Sequence, residues 1–258
     1  MRAITSLLPD EDIIYFGDTA RVPYGFKSGQ TIIQFAREDC RFLMRIKPKM
    51  IVLACNTASA VALDALRSEL TLPISDVIEP GARAAIASGA KRIGVIGTET
   101  TIGSGAYERR ISLMDSRCEV YSRACPLFVS AVEEGRQSRD PIVKALAQEY
   151  LAYFRDKGLG AMVLGCTHYP LIREAIQEEL GPWVSLVDSA SEAALTVREV
   201  LKNQNLFRPA GQGARTLRFY SSDNPERFAR VGSRFMGMEI VRVDLVSPEE
   251  FFQASGGE

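Results

Sequence analysis

The stretch "MVLGCTHYPLIREAIQEEL", residues 162–180, decides how this chain is read. An apolar run ends on a cysteine, turns abruptly polar, and continues with apolar residues at helical spacing. Nearly the same phrase stands earlier as "IVLACNTASAVALDALRSEL", residues 51–70. With one gap after the cysteine the copies align as V-L-x-C, a Thr-containing polar pair, then D/E-A-L/I and E-L. A short apolar run bounded by turn signals predicts a buried strand, and the spacing of Val61, Ala65, Leu66 and of Ile172, Ile176, Leu180 predicts an amphipathic helix behind each. Each copy is a βα unit with a cysteine at the carboxyl end of its strand. A single free cysteine is usually a small core residue. Two at the same place in duplicated units point to a shared task.

Working outward, the rest of the chain follows the same repeat. The second half runs strand "RIGVIG", turn "TETTIGSG", helix "AYERRISLMD", strand "CEVYSRACP", helix "DPIVKALAQEYLAYFRDKG" and strand "AMVLGC". The first half runs helix "RAITSLLP", strand "DIIYFGD", turn "TARVPYG", helix "GQTIIQFAREDCRFLMRI" and strand "MIVLAC". It begins on a helix, so the repeat predicts one more strand and a polar loop ahead of Arg2. Strands alternating with helices imply parallel sheets with right-handed crossovers. The predicted fold is α/β, with two pseudo-symmetric, flavodoxin-like domains facing each other across a cleft. The first domain takes residues 1–78 plus 188–258, lacking its N-terminal strand, and the second takes 79–187. The tail after Cys166, from strand "WVSLVDS" and helix "ASEAALTVREVLKNQ" through the linker "FRPAGQGA" to strand "EIVRVDLV", is expected to pack back on the first half. Ligands in such sheets bind beyond the carboxyl ends of the strands, where Cys55 and Cys166 both stand.

Bulk properties narrow the function. The 258 residues carry 31 Lys+Arg against 32 Asp+Glu, which offers no charge for nucleic acid or an anionic membrane. No apolar segment approaches the roughly 20 residues of a membrane span, and the first residues lack a signal-peptide pattern. The expected setting is the cytoplasm. The five cysteines, Cys40, Cys55, Cys118, Cys125 and Cys166, are scattered without a C-x-x-C pair, which argues against a disulfide framework. Cys40, Cys118 and Cys125 read as core. His168 is the only histidine, two residues after Cys166, so a histidine metal cluster or a conventional relay has one candidate. There is no Gly-rich dinucleotide fingerprint and no Walker loop. No cofactor is expected.

Two thiols facing one another suggest a definite chemistry. One, as thiolate, removes a proton from a carbon held between them, and the other, as thiol, protonates the opposite face. A stereocentre treated in this way inverts. A free thiol titrates near ~8.5 and a helix N-terminus lowers it. Each cysteine precedes a predicted helix, which makes thiolate formation accessible, and the pair is expected to titrate as a coupled unit.

Four motifs carry a resemblance: "ACNTASA" (54–60), "GCTHYPL" (165–171), "YFGDTARVPYG" (15–25) and "VIEPGARAA" (77–85). In this order they resemble the glutamate racemases of the aspartate/glutamate racemase superfamily, cofactor-independent isomerases that supply D-glutamate for peptidoglycan. The likeness runs from about residue 7 to about residue 201. It implies that Cys55 and Cys166 are the two acid/base thiols and that His168 and Glu133 assist proton transfer at the second. It also implies that Asn56, Thr57 and Thr167 hold the amino acid's carboxylate and amino group, that Tyr24 and Gly25 line the substrate site, and that Thr101 contacts substrate. A homodimer is implied as well.

Plainer readings stand beside several of these. Asn56 and Thr57 are also favoured helix caps, Pro23-Tyr24-Gly25 is also a turn, and Glu133 is also an ordinary solvated glutamate. Asp18 reads as structural, closing a strand. The chain departs from the family pattern at its start, where members open with a strand and an Asp-Ser-Gly turn. That departure keeps open a catalytically impaired amino-acid-binding relative, and the superfamily keeps open aspartate racemisation.

Overall fold

A computed structural model describes residues 1–209, 211 and 213–247. Its strands are β1 (Ile13–Gly17), β2 (Ile51–Val52), β3 (Ile74–Ser75), β4 (Arg92–Gly97), β5 (Glu119–Ala124), β6 (Ala161–Gly165), β7 (Ser185–Val187), β8 (Leu217–Ser221) and β9 (Asp244–Leu245). Its α-helices are α1 (Arg2–Leu7), α2 (Gly29–Arg45), α3 (Asn56–Glu69), α4 (Ile78–Ala87), α5 (Glu99–Gly103), α6 (Ala106–Met114), α7 (Leu127–Glu133), α8 (Pro141–Leu151), α9 (Arg173–Leu180), α10 (Ser189–Asn203) and α11 (Pro225–Met236).

The second half builds a four-stranded parallel sheet in the order β5-β4-β6-β7. Side chains alternate across a strand, and a sheet covered by helices on both faces must be apolar on both. Ile93, Val95, Ala161 and Val163 accordingly enter one core with α4 and α6, through Ile78, Ala82, Tyr107 and Ile111. Ile96, Met162 and Leu164 point the other way and pack with Phe128, Val143, Leu151 and Ile176 of α7, α8 and α9. Each fully buried Val, Leu, Ile, Phe or Met side chain among them contributes on the order of 1.5–3 kcal/mol.

The first half is arranged differently. β8 runs parallel beside β1, from Ile13↔Leu217 to Gly17↔Ser221, and β9 follows β8. From β8 onward the tail thus returns to the first half, whereas its first strand, β7, stays in the second half beside β6. β2 pairs only with β3, in a separate two-stranded sheet. In the second half β4 lies between β5 and β6; among the described residues no strand joins β1 to β2 in the corresponding place.

Local chemistry sets several boundaries. Asp140 caps α8 with Pro141 in its first turn, Asp188 caps α10, and the Asn224 side chain accepts from the Arg227 amide at the start of α11, all preferred arrangements. Two elements differ from the sequence reading. The "TETTIGSG" segment is not a simple turn, because Thr98 caps a short helix, α5. The strand ending on Cys55 is only two residues long by hydrogen bonding. No helix among the described residues is long and apolar enough to cross a membrane.

Gly165 marks the tightest point beside the second cysteine. It pairs with Gly97 across β6 and β4, and a Cβ there would stand 2.6 Å from the Ile96 carbonyl oxygen and 3.2 Å from Tyr107 Cε2. Backbone cannot yield as a flexible side chain can. Gly165→Ala is expected to lower stability by about 1–3 kcal/mol, measured as a shift in urea midpoint.

Candidate active site

Cys55 is the N-cap residue of α3. The Ser59 amide donates to the Cys55 carbonyl at 2.9 Å and the Ser59 hydroxyl donates to the Leu53 carbonyl at 2.9 Å, so one serine closes the strand-to-helix turn. The amides of Thr57 and Ala58 reach back toward the sulfur. Burial nevertheless pushes the Cys55 thiol up, with charge on Cys166 adding to it and the two amides opposing. The expectation that the helix N-terminus would lower this thiol is overturned, because desolvation of the anion outweighs the amide dipoles.

Cys166 is buried at the end of β6. It does not precede an α-helix directly: a 3₁₀ turn, Tyr169–Ile172, intervenes before α9. The helix-dipole argument made for it from sequence therefore does not hold. Its partner is His168, whose Nδ1 lies 3.7 Å from Sγ. The other ring nitrogen, Nε2, is 2.7 Å from Glu133 Oε1 at the end of α7. Burial disfavours an imidazolium here, yet Cys166 and Glu133 outweigh it and carry the His168 pKa up to about 9. The Glu133 carboxyl is held below its usual range by the bond from His168, against burial and with help from Arg227.

Tyr107 links the two cysteine turns. Its ring lies against Gly165, immediately before Cys166, and its hydroxyl donates to Asn56 Oδ1, immediately after Cys55, at 2.7 Å. The phenol is fully buried and burial raises its pKa, so it stays a donor. With Oδ1 occupied, the Asn56 amide group is left as the donor for a ligand. Beside it, the hydroxyls of Thr57, Thr98 and Thr101 form a buried triangle with oxygen separations of 3.0, 3.2 and 3.0 Å. Thr57 comes from the first half and the other two from the second.

Gly25 packs against this triangle; a Cβ would meet Thr98 Cβ at 2.5 Å. The Thr100 hydroxyl lies 3.0 Å from the carbonyl oxygens of both Gly25 and Lys27. Tyr24 is placed otherwise than a substrate-facing hydroxyl would be, because its OH donates to the carboxylates of Asp18 and Asp39. Asp18 also accepts from Arg21 and from the Ser222 hydroxyl, a structural role. Thr167 is exposed, its hydroxyl 3.3 Å from His168 Nδ1. Cys40 and Cys125 are buried in separate cores, and Cys118 is partly buried against the core that β4 and β6 form with α4 and α6. Among the described residues no group of three or more His, Cys, Asp or Glu is arranged to hold a metal ion.

Three site residues escaped sequence reasoning. Thr98 is a helix cap within a segment read as a turn, Tyr107 looked like one more apolar helix position, and Arg227 lies in the tail, 94 residues from Glu133. Only Thr98 carried a local signal, the cap pattern itself.

The carboxylates behind Tyr24 have a consequence for stability. Burial, reinforced by Asp18 and opposed by Arg21, pushes the Asp39 carboxyl up to about 8. A carboxyl whose pKa is raised on folding binds more protons folded than unfolded, so stability falls as pH rises from about 4 to about 8. Asp39→Asn is expected to flatten that fall by at least about 1 kcal/mol, read from urea titrations at pH 5 and 8.5.

The Asp/Glu/Hydantoin racemase family matches residues 1–197 of this chain. A glutamate racemase from Geobacter metallireducens is 47% identical over 250 residues, which are 96% of this chain and 92% of the relative. The glutamate racemase of Francisella tularensis, solved in complex with D-glutamate, superposes with a TM-score of 0.88 at 41% identity, covering 95% of this chain and 91% of that one. That of Thermus thermophilus, solved with β-chloro-D-alanine, gives 0.85 at 41% identity over 96% and 92%. A family match over residues 1–197, with a relative 47% identical over 96% of the chain, leaves one assignment: the chain belongs to the Asp/Glu/Hydantoin racemase family.

Proposed function

We propose that this protein is a glutamate racemase, an isomerase that interconverts L- and D-glutamate with Cys55 and Cys166 as its two acid/base groups. The observation that carries the reading is the convergence of the two duplicated cysteine turns on one side chain, Tyr107, with the His168–Glu133 pair behind the second sulfur. Glutamate is the substrate named for the relatives and for the solved structures of like fold.

Held between the sulfurs, the substrate loses its Cα proton to one thiolate and gains a proton on the opposite face from the other thiol. The reverse reaction exchanges the roles, so atoms and charge balance in each turnover. The α-carboxylate is received beside the start of α3 by the Asn56 side-chain amide and the threonine hydroxyls. These donors stabilise the charge that moves from Cα into the carboxylate as the proton leaves. Protonated His168 donates toward Cys166 whenever that sulfur is anionic, and Glu133 holds the ring. Thr167 and Gly25 complete the wall around the substrate. The thiol chemistry itself calls for no cofactor.

The same reading divides the chain into 1–78 plus 188–258 and 79–187, of which 210, 212 and 248–258 lie outside the described residues, and the return of β8 to β1 supports it. It also makes the protein a cytoplasmic homodimer providing D-glutamate for peptidoglycan. The test is incubation with L-glutamate in D₂O, following the Cα proton by NMR with chiral analysis of the product. Exchange together with D-glutamate is expected; retention of both the proton and the L configuration refutes the proposal.

A further inference from the structure

We infer that the C-terminal helix α11 is part of the acid/base machinery of Cys166, with Arg227 as the residue that positions Glu133 and, through it, His168. The inference rests on the racemase reading and extends it to a segment beyond the 1–197 family match.

The geometry is a single chain of contacts. Cys166 Sγ lies 3.7 Å from His168 Nδ1, His168 Nε2 lies 2.7 Å from Glu133 Oε1, and the opposite carboxylate oxygen, Oε2, accepts from Arg227 Nη2 at 3.3 Å. A carboxylate held at one oxygen swings about its own side chain; held at both, it presents Oε1 in one place. Two turns further along α11, Phe235 packs edge-on to the imidazole, with ring centroids 5.3 Å apart and planes at 86°. One helix thus limits the histidine from the side and, through Glu133, from behind.

The helix is itself anchored in the other half. Phe228, next to Arg227, packs in tilted contacts with Tyr15 at 5.7 Å and with Phe219 at 6.5 Å between ring centroids, and its ring fills the space a Cβ on Gly17 would need. α11 therefore ties β1 and β8 of the first half to the proton relay of the second. The Asn224 cap and Pro225 fix where its first turn begins, and so where Arg227 points. Among the described residues, the charged and titratable groups around His168 are Cys166, Glu133 and Arg227, with the buried phenol of Tyr15 facing Glu133, the neutral hydroxyl of Thr167 beside the ring and Arg234 near Gly135.

A positioning role and a plain through-space charge make opposite predictions. Removing a cation near an imidazolium raises its titration midpoint, whereas loosening the carboxylate that accepts its hydrogen bond lowers it. His168 is the only histidine, so its ring signals are unambiguous in NMR. With Arg227→Met, the His168 midpoint is expected to fall by roughly half a pH unit and kcat to fall roughly 2- to 5-fold with KM little changed, the range fitting a half-exposed pair.

Proton transfer at Cys166 would then limit turnover more strongly. For the enantiomer whose Cα proton Cys166 removes, the isotope effect of Cα-deuterated substrate should rise, and for the other enantiomer it should fall. Arg227→Lys, which keeps the charge, is expected to recover most of the midpoint. A midpoint that stays put or rises in Arg227→Met, or isotope effects unchanged for both enantiomers, overturns the inference. Absence of turnover in the unmodified protein would instead count against the racemase reading, and the His168 titration would still test the contact chain by itself.

Discussion

Serine in place of Cys55 or of Cys166 is expected to lower kcat/KM for both glutamate enantiomers by about 10³-fold, the scale of a positioned general acid or base. A serine hydroxyl fits the space of a thiol yet ionises far less readily, so either replacement removes one of the two proton carriers. Because the enantiomers are equal in free energy, kcat/KM must fall equally in the two directions, whichever sulfur is lost. The variants separate in exchange. In D₂O each should still wash out the Cα proton of the enantiomer served by the remaining thiol, without producing its mirror image. NMR exchange with chiral analysis reads both quantities in one sample, and near-normal racemisation in either variant would refute the two-thiol mechanism.

The next largest effect is expected from Glu133→Gln. A hydrogen bond between charged partners contributes about 1.5–3 kcal/mol, which corresponds to about 10- to 100-fold in kcat if it acts in the transition state. His168 titrates at about 9 because Cys166 and Glu133 outweigh burial; with a neutral amide at residue 133 its midpoint should drop by at least about one pH unit. The sign for stability follows. A histidine whose pKa is raised on folding contributes stability that is complete below its ordinary value near 6.5 and is lost as pH rises through about 9. The variant should therefore be less stable than the parent at pH 6 and closest to it above pH 9. Urea titrations at the two pH values, with the single-histidine NMR titration, check both statements.

The pair also explains why the two thiols differ although their turns are duplicates. After Cys55 the chain enters α3 at once, and the sulfur is surrounded by amides and hydroxyls. After Cys166 the His-Tyr-Pro sequence imposes a 3₁₀ turn, which swings His168 toward the sulfur. Proline cannot donate the amide that a regular helix would use there. The second copy, one residue shorter and reading Thr-His-Tyr-Pro where the first reads Asn-Thr-Ala-Ser, thus gives its thiol a histidine that the first lacks.

What the sequence by itself determined is everything with a short period. Short apolar runs bounded by turn signals marked the strands "RIGVIG" and "AMVLGC" of the second sheet, and the duplicated V-L-x-C phrase placed both cysteines at strand ends. The four motifs identified the family and brought Cys55, Cys166, His168 and Glu133 forward as candidates. Tertiary structure alone decided the rest. Tyr107 meets Asn56 across 51 residues, Thr57 meets Thr98 across 41, and Glu133 meets Arg227 across 94. No local periodicity encodes such pairings, because they depend on how whole sheets pack. The direction of the Cys55 perturbation belongs here too. Sequence shows the helix that would lower the thiol, but burial, which wins, exists only once the two halves close around it.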